Sequence, residues 1–341
     1  MTALPSLLAA ALLLLSFGCA AKSPQAAMTD PLRQTAAPRP AAAPRPAAAV
    51  LSLPDEVWAG EPFLAKVQAP GLTRAVVSWR QKSLAATPGT GSQPEDSALF
   101  LLPVPQKEEA SSLPLSLSLT FADGRRETLT ASLPVRRRVQ PEQRLTVADR
   151  YVRLTPAQLA RVKEEQREVR EVLARVSPVR LWRLPLLRPV PGKVTSVYGL
   201  RRFFNGQERS PHRGIDFAAA RGDPVPACAD GIAVLIGEHY YGGGTVILDH
   251  GLGVFSLYLH LSGFAVSRGQ TVRRGQIIGF AGDTGRVTGP HLHLSLAVQG
   301  ELVDAAPCLE GMGNLSETEE RPGRGAPEKS QSPAGGKGEA L

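Results

Sequence analysis

Gly289-Pro290-His291-Leu292-His293-Leu294 places two imidazoles two residues apart between leucines. On a β-strand, His291 and His293 point to the same face, with Cα atoms roughly 6–7 Å apart. That spacing suits two groups converging on one metal ion and its water. The other four histidines lie upstream, and all six fall between His212 and His293. Two further segments carry the same chemistry: Ser210-Pro211-His212-Arg213-Gly214-Ile215-Asp216 and Tyr258-Leu259-His260-Leu261. His212 and Asp216 share parity, yet four extended steps would separate them by roughly 13 Å. Zinc ligand atoms sit about 2 Å from the ion, so a straight strand would carry one side chain out of reach. Gly214 between them can supply a kink. Two neutral imidazoles and a carboxylate would leave zinc a fourth position for water, the open site of a hydrolase. Spacing alone does not say which of His291 and His293 would bind the metal.

Outward from this region the chain reads as mostly β. Leu113, Leu115, Leu117, Leu119 and Phe121 alternate with mostly small polar residues, the period of a half-buried strand. Asp123-Gly124 follows and predicts a hairpin whose second arm runs from Arg125 to Val135. Residues 50–140 are therefore expected to form a small β-sandwich of immunoglobulin-like character. Thr155-Pro156-Ala157-Gln158 is a capping box with proline at the first helical position. It opens the one clear helix, in a connector over 141–178, with Leu159, Val162, Val169, Val172, Leu173 and Val176 along one face and Ser177-Pro178 as its stop. Residues 179–310 return to strands and glycine turns and hold all the histidines. Residues 311–341 have almost no apolar side chains and read as a disordered tail.

The N-terminus reads as an export signal over 1–18, with the run Leu12 to Leu15 too short for a spanning helix. Ser16-Phe17-Gly18-Cys19 resembles a bacterial lipobox, which implies lipidation of Cys19 and a membrane anchor. Ala20 after it, by the same resemblance, points to an outer-membrane lipoprotein facing the periplasm. Residues 19–49, with repeated Ala-Pro-Arg-Pro-Ala units, read as a semi-rigid tether. The remaining cysteines, Cys228 and Cys308, are equally compatible with a disulfide and with two buried thiols.

Composition excludes other classes. With 43% hydrophobic residues the chain can bury a core, and three cysteines are too few for a disulfide scaffold. The net charge of +8 allows an anionic partner, but no nucleic-acid motif accompanies it, so wall polymer or lipid is the better expectation. Val266 to Gly279 reads as a hairpin, and its glycine spacing is also that of biotinyl and lipoyl carrier domains. Those need a lysine in a turn, and none lies between Lys193 and Lys329.

Residues from about Pro189 to Leu309 resemble the peptidase domain of lysostaphin/LytM-type zinc metallopeptidases. The likeness rests on Tyr198-Gly199-Leu200-Arg201-Arg202, the His212-to-Ala219 segment, Val225 to Val234, the Leu257-to-Leu261 segment and Thr288 to His293. It implies an antiparallel β peptidase domain with an open groove. It implies zinc ligated by His212, Asp216 and His293, with His260 and His291 as partners of the attacking water and of the tetrahedral oxyanion. His250 is expected to be structural and His239 an exposed loop residue. The activity implied is hydrolysis of peptide cross-links in peptidoglycan, at the D-alanine to diaminopimelate bond of a Gram-negative wall or at polyglycine bridges otherwise. A non-hydrolytic activator of cell-wall amidases is the alternative, but such domains lose ligands or catalytic histidines, and here all five positions are filled. A wall-binding structural protein would need no ordered histidine set. The sandwich could position the enzyme, occlude its groove or bind a regulatory protein partner.

Overall fold

The alternation at Leu113 to Phe121 becomes the strand Ser112–Phe121, and all five large apolar residues on that face are buried. It pairs antiparallel with Arg126–Arg136 across Asp123-Gly124, where Gly124 takes a φ of 83° that its missing Cβ permits. The computed structural model describes residues 48–146, 154–312, 315 and 317. The expected signal peptide, Cys19, nearly all of the tether and most of the tail lie outside the described residues. No helix among the described residues is long and apolar enough to cross a membrane.

The hairpin belongs to a five-stranded sheet ordered Val57–Trp58, Arg126–Arg136, Ser112–Phe121, Leu72–Trp79, Lys82–Ala86. A second sheet, ordered Val50–Ser52, Pro62–Gln68, Ser97–Pro103, packs against it. Both contribute to one core, in which Phe63 and Trp79 meet edge-on at 5.0 Å. The Trp79 indole N–H donates to the Pro103 carbonyl at 2.7 Å, tying one sheet to the other. Ser97–Pro103 is buried along its whole length. Ala98, Phe100 and Leu102 face the sandwich core, while Leu101 enters the core of the histidine-bearing region. Leu252 makes the reverse crossing into the sandwich. Strict period-2 polarity fails here because the strand is covered on both faces.

The histidine-bearing region is built on an eight-stranded sheet. Seven strands follow the order Val194–Ser196, Ile215–Ala218, His291–Val298, Val254–Leu261, Gly243–Asp249, Gly231–His239, Thr271–Val272, and Glu301–Val303 pairs with His291–Val298 off that path. One face carries Phe217, Tyr258, Leu292 and Leu294 into the larger core. The other carries Ile247, Phe255, Leu257 and Ala297 against Val172 and Leu173 of the helix.

That helix spans Pro156–Leu173 and starts with the full capping box: Thr155 Oγ1 accepts from Gln158 N, and Gln158 Oε1 accepts from Thr155 N. It ends four residues before Ser177, and Leu159 and Val176 of the expected apolar face are exposed. The segment expected as connector also contributes a strand. Glu142–Leu145 runs parallel to Arg201–Phe204, which pairs on its other side with Gln207–Arg209. The Val266-to-Gly279 segment is not a self-paired hairpin. Thr271–Val272 pairs with Gly231 and Ile232, whereas Ile277–Phe280 joins Pro224–Pro226 and Gly263–Phe264 in a separate sheet.

Candidate metal centre

Strand register assembles the site. Ser196 lies opposite Asp216, Asp216 opposite His293, and His293 opposite Leu259 on its other side. Cross-strand neighbours put side chains on one face in contact, so Asp216 and His293 meet directly: Oδ1 and Nδ1 are 2.7 Å apart. His212 precedes the strand Ile215–Ala218, and the chain bends at Gly214. The bend brings His212 Nε2 to 3.0 Å from both Asp216 Oδ1 and His293 Nδ1. All three residues are buried.

The hydrogen bonds behind this triangle decide its tautomers. His212 Nδ1 faces the Val197 carbonyl at 2.8 Å, and a carbonyl only accepts, so Nδ1 carries the proton and Nε2 is a bare lone pair. Ser295 Oγ donates its one proton to the Arg213 carbonyl, so it accepts from His293 Nε2–H at 2.8 Å and leaves Nδ1 bare. In the neutral tautomers these bonds select, two imidazole lone pairs and a carboxylate oxygen converge. Such a donor set repels itself unless a cation sits among it, and two nitrogens with one oxygen suit zinc. The separations of 2.7–3.0 Å lie slightly inside the roughly 3.3 Å between tetrahedral ligands held about 2 Å from zinc.

Gly214 has a second reason to be glycine. A Cβ there would stand 2.5 Å from His293 Nε2 and 2.4 Å from the Leu294 carbonyl oxygen. Gly214→Ala is expected to push the His293 ring off its position and weaken zinc binding by about 10-fold or more, measured by chelator competition.

His260 breaks the alternation of its strand. By parity it would follow Tyr258 into the core, but its φ is 65° and the ladder to Gly243–Asp249 shifts register at this point. The bulge turns the ring toward the histidine face, 4.8 Å from His291 and 5.9 Å from His293 between ring centroids. A non-glycine residue at positive φ is uncommon and concentrates at functional sites. His260 Nδ1 donates to the Thr284 carbonyl at 2.9 Å, and His291 Nδ1 to that of Gly289 at 2.9 Å. In the neutral tautomer these bonds select, each ring presents Nε2 as an acceptor, and that of His291 is 3.8 Å from Asp216 Oδ1. Burial, with His293 and His291 adjoining, holds the His260 pKa down to about 3; burial also holds His293 down to about 4.

A cleft of about 330 Å³ opens over these groups, lined also by Gln143, Thr195, Arg202 and Arg286. Arg202 donates to Asp216 Oδ2 at 3.1 Å, leaving Oδ1 to the triangle. Ser295 was legible as the next same-face residue after His291 and His293; Gln143 sits in a segment with no local signal. His250 is fully buried in the core, donating from Nδ1 to the Asp230 carbonyl and meeting Ser256 Oγ with Nε2, both at 2.7 Å. His239 is the last residue of its strand, with only 12% of its side chain exposed, and it lies 4.0 Å from Glu168 on the helix, because that helix covers the strand end. Cys228 and Cys308 are free and buried.

Residues 210–305 match the profile of Peptidase family M23. Over 120 residues the chain is 46% identical to the peptidoglycan DD-endopeptidase ShyA of Vibrio cholerae, covering 34% of this chain and 28% of that protein. It is 47% identical over 112 residues to the DD-carboxypeptidase/endopeptidase Mpg of Neisseria meningitidis, covering 33% and 26%. The matched stretch thus spans only about a quarter of these relatives. The crystal structure of an M23 peptidase from Pseudomonas aeruginosa aligns over 72% of this chain and 92% of its own, at 27% identity and a TM-score of 0.53. That coverage exceeds the profile match and takes in a large part of the chain outside it. The chain carries a domain of peptidase family M23.

Proposed function

We propose that this protein is a zinc-dependent endopeptidase that hydrolyses peptide cross-links of peptidoglycan in cell-wall remodelling. The observation that carries this reading is the convergence of His212, Asp216 and His293 beside two further histidines, whose ring Nδ1 atoms are each held by a backbone carbonyl. His212, Asp216 and His293 would hold the zinc, which when bound supplies a Lewis acid that polarises the scissile carbonyl and acidifies water. His260 and His291 act at the proton: a bare Nε2 removes it from the attacking water, and the resulting imidazolium returns it to the leaving amine. The backbone carbonyls of Thr284 and Gly289 hold both rings in the tautomer this requires. An imidazolium beside the reacting carbon also stabilises the developing oxyanion.

The relatives named as DD-endopeptidases support the D-alanine to diaminopimelate cross-link as the bond, and a glycyl-glycine endopeptidase from Staphylococcus capitis, 45% identical over 98 residues, keeps polyglycine as the comparison substrate. A peptidoglycan substrate supports export. We further read the chain as an outer-membrane lipoprotein anchored through Cys19 and facing the periplasm. The sandwich, whose Leu101 reaches the core of the histidine-bearing region, is the surface we assign to a regulatory partner. The test is metal analysis of the purified chain with activity after chelation. One zinc per chain, with activity lost on chelation and restored by zinc, is expected; full activity in metal-free protein sinks the reading.

The histidines also set a pH dependence. In the metal-free protein His293 and His260 have pKa values of about 4 and about 3, below the ordinary value near 6.5. Each is neutral in the folded state and takes up a proton more readily when unfolded. Their contribution to stability is therefore complete above about pH 6.5 and is lost as pH falls toward 4 and then 3. The melting temperature of the metal-free protein should fall steadily over that window, and His260→Asn should flatten its lower part.

A further inference from the structure

We propose that Gln143, from the segment ahead of the helix, is a positioning residue for the metal centre, acting on Asp216 through Arg202. This rests on the reading of His212, Asp216 and His293 as zinc ligands. Gln143 lies opposite Arg202 in the parallel pairing of Glu142–Leu145 with Arg201–Phe204. Its Oε1 accepts from Arg202 Nε at 3.0 Å, and its Nε2 donates to Ser196 Oγ at 3.0 Å. Ser196 is in turn the cross-strand neighbour of Asp216. The amide therefore spans the two structures flanking the carboxylate. It fixes the plane of the guanidinium, whose Nη2 donates to Asp216 Oδ2 at 3.1 Å.

The chemistry needs this restraint. A carboxylate has two equivalent oxygens and turns freely about its last bond unless one oxygen is held. Arg202 occupies Oδ2, so Oδ1 stays 3.0 Å from His212 Nε2 and 2.7 Å from His293 Nδ1. A guanidinium tethered at only one nitrogen can swing; held at Nε by Gln143 and at Nη2 by Asp216, it cannot do so without breaking two bonds. Arg202 is mostly buried, its side chain 18% exposed, so losing the Gln143 acceptor leaves an N–H without its partner in a poorly solvated place. Gln143, Ser196 and Arg202 all lie outside residues 210–305, the stretch that matches the family profile. A strand from outside that stretch thus completes the support of its metal site.

The experiment measures zinc affinity of the full chain by competition with a chromophoric chelator, which reads the site without any turnover. Gln143→Ala should weaken zinc binding by about 10-fold. Gln143→Glu keeps an oxygen for Arg202 Nε and should stay within about twofold of wild type, while Glu142→Ala, on the same strand, should leave affinity unchanged. Arg202→Lys keeps the charge but cannot hold both partners, so it should lose about as much as Gln143→Ala, and the double variant no more than the larger single loss. Wild-type affinity in Gln143→Ala, equal losses for the alanine and glutamate variants, or losses that multiply in the double variant overturn the inference while leaving the metal centre standing. A wild-type chain that binds no zinc overturns the metal centre and the inference together.

Discussion

Asp216→Asn is expected to abolish zinc uptake and cleavage together while the chain still folds. Asp216 supplies the one anionic donor of the triangle, and its Oδ1 lies within 3.0 Å of both partner nitrogens. The amide keeps the volume but brings either a neutral oxygen or an N–H pair to the metal position. Losing an outer-shell partner costs roughly 10–100-fold in affinity, and losing a charged ligand should exceed that range. Turnover should fall by at least about 1000-fold with it. The fold should survive, because Asp216 sits between flanking strands Val194–Ser196 and His291–Val298 whose backbone ladders the substitution does not touch. Circular dichroism and melting of the metal-free variant check this. Near-wild-type zinc content in Asp216→Asn would remove Asp216 from the ligand set.

The second large effect separates chemistry from metal binding. His260→Asn and His291→Ala should each lower kcat/KM by about 100- to 10,000-fold, the usual contribution of a general acid–base residue, while retaining one zinc per chain. His260→Asn carries a further signature. Its φ of 65° lies in the region that asparagine tolerates best after glycine, so the folded state should be no less stable than wild type. Below about pH 6.5 it should be more stable than wild type, because the buried imidazole held down to about 3, which takes up its proton only on unfolding, is gone. Lower activity with equal or higher melting temperature is the pattern of a residue kept for chemistry at a cost in stability. A variant that loses zinc and stability along with activity would instead make His260 part of the metal scaffold.

Local pattern explains which features could be read ahead of the structure. The strand Ser112–Phe121 and its turn follow from side-chain period and a residue pair that accepts positive φ, both short-range properties. His291 and His293 share a face for the same reason, and Ser295 continues the series. His260 was legible as a candidate only through its resemblance to a motif, because its parity points into the core and the bulge that reverses it depends on pairing with Gly243–Asp249. Gln143 was not legible at all. Its place in the cleft arises from parallel pairing between segments nearly sixty residues apart, which no neighbouring residue encodes. The helix stops at Leu173, short of the expected Ser177, and buries Val162, Val172 and Leu173 while Leu159 and Val176 stay exposed, a packing outcome the apolar spacing alone does not encode. The close approach of Gly214 to the His293 ring likewise shows that glycine serves space as well as the bend expected from sequence.

The central claim, metal-dependent cleavage of peptide cross-links, is tested most directly by mass spectrometry of purified peptidoglycan incubated with the zinc-loaded chain, the chelated chain and Asp216→Asn. Cross-linked muropeptide dimers should fall and the corresponding monomers rise only with the zinc-loaded wild type. Unchanged dimers with fully zinc-loaded protein, or equal loss of dimers in all three incubations, would contradict it.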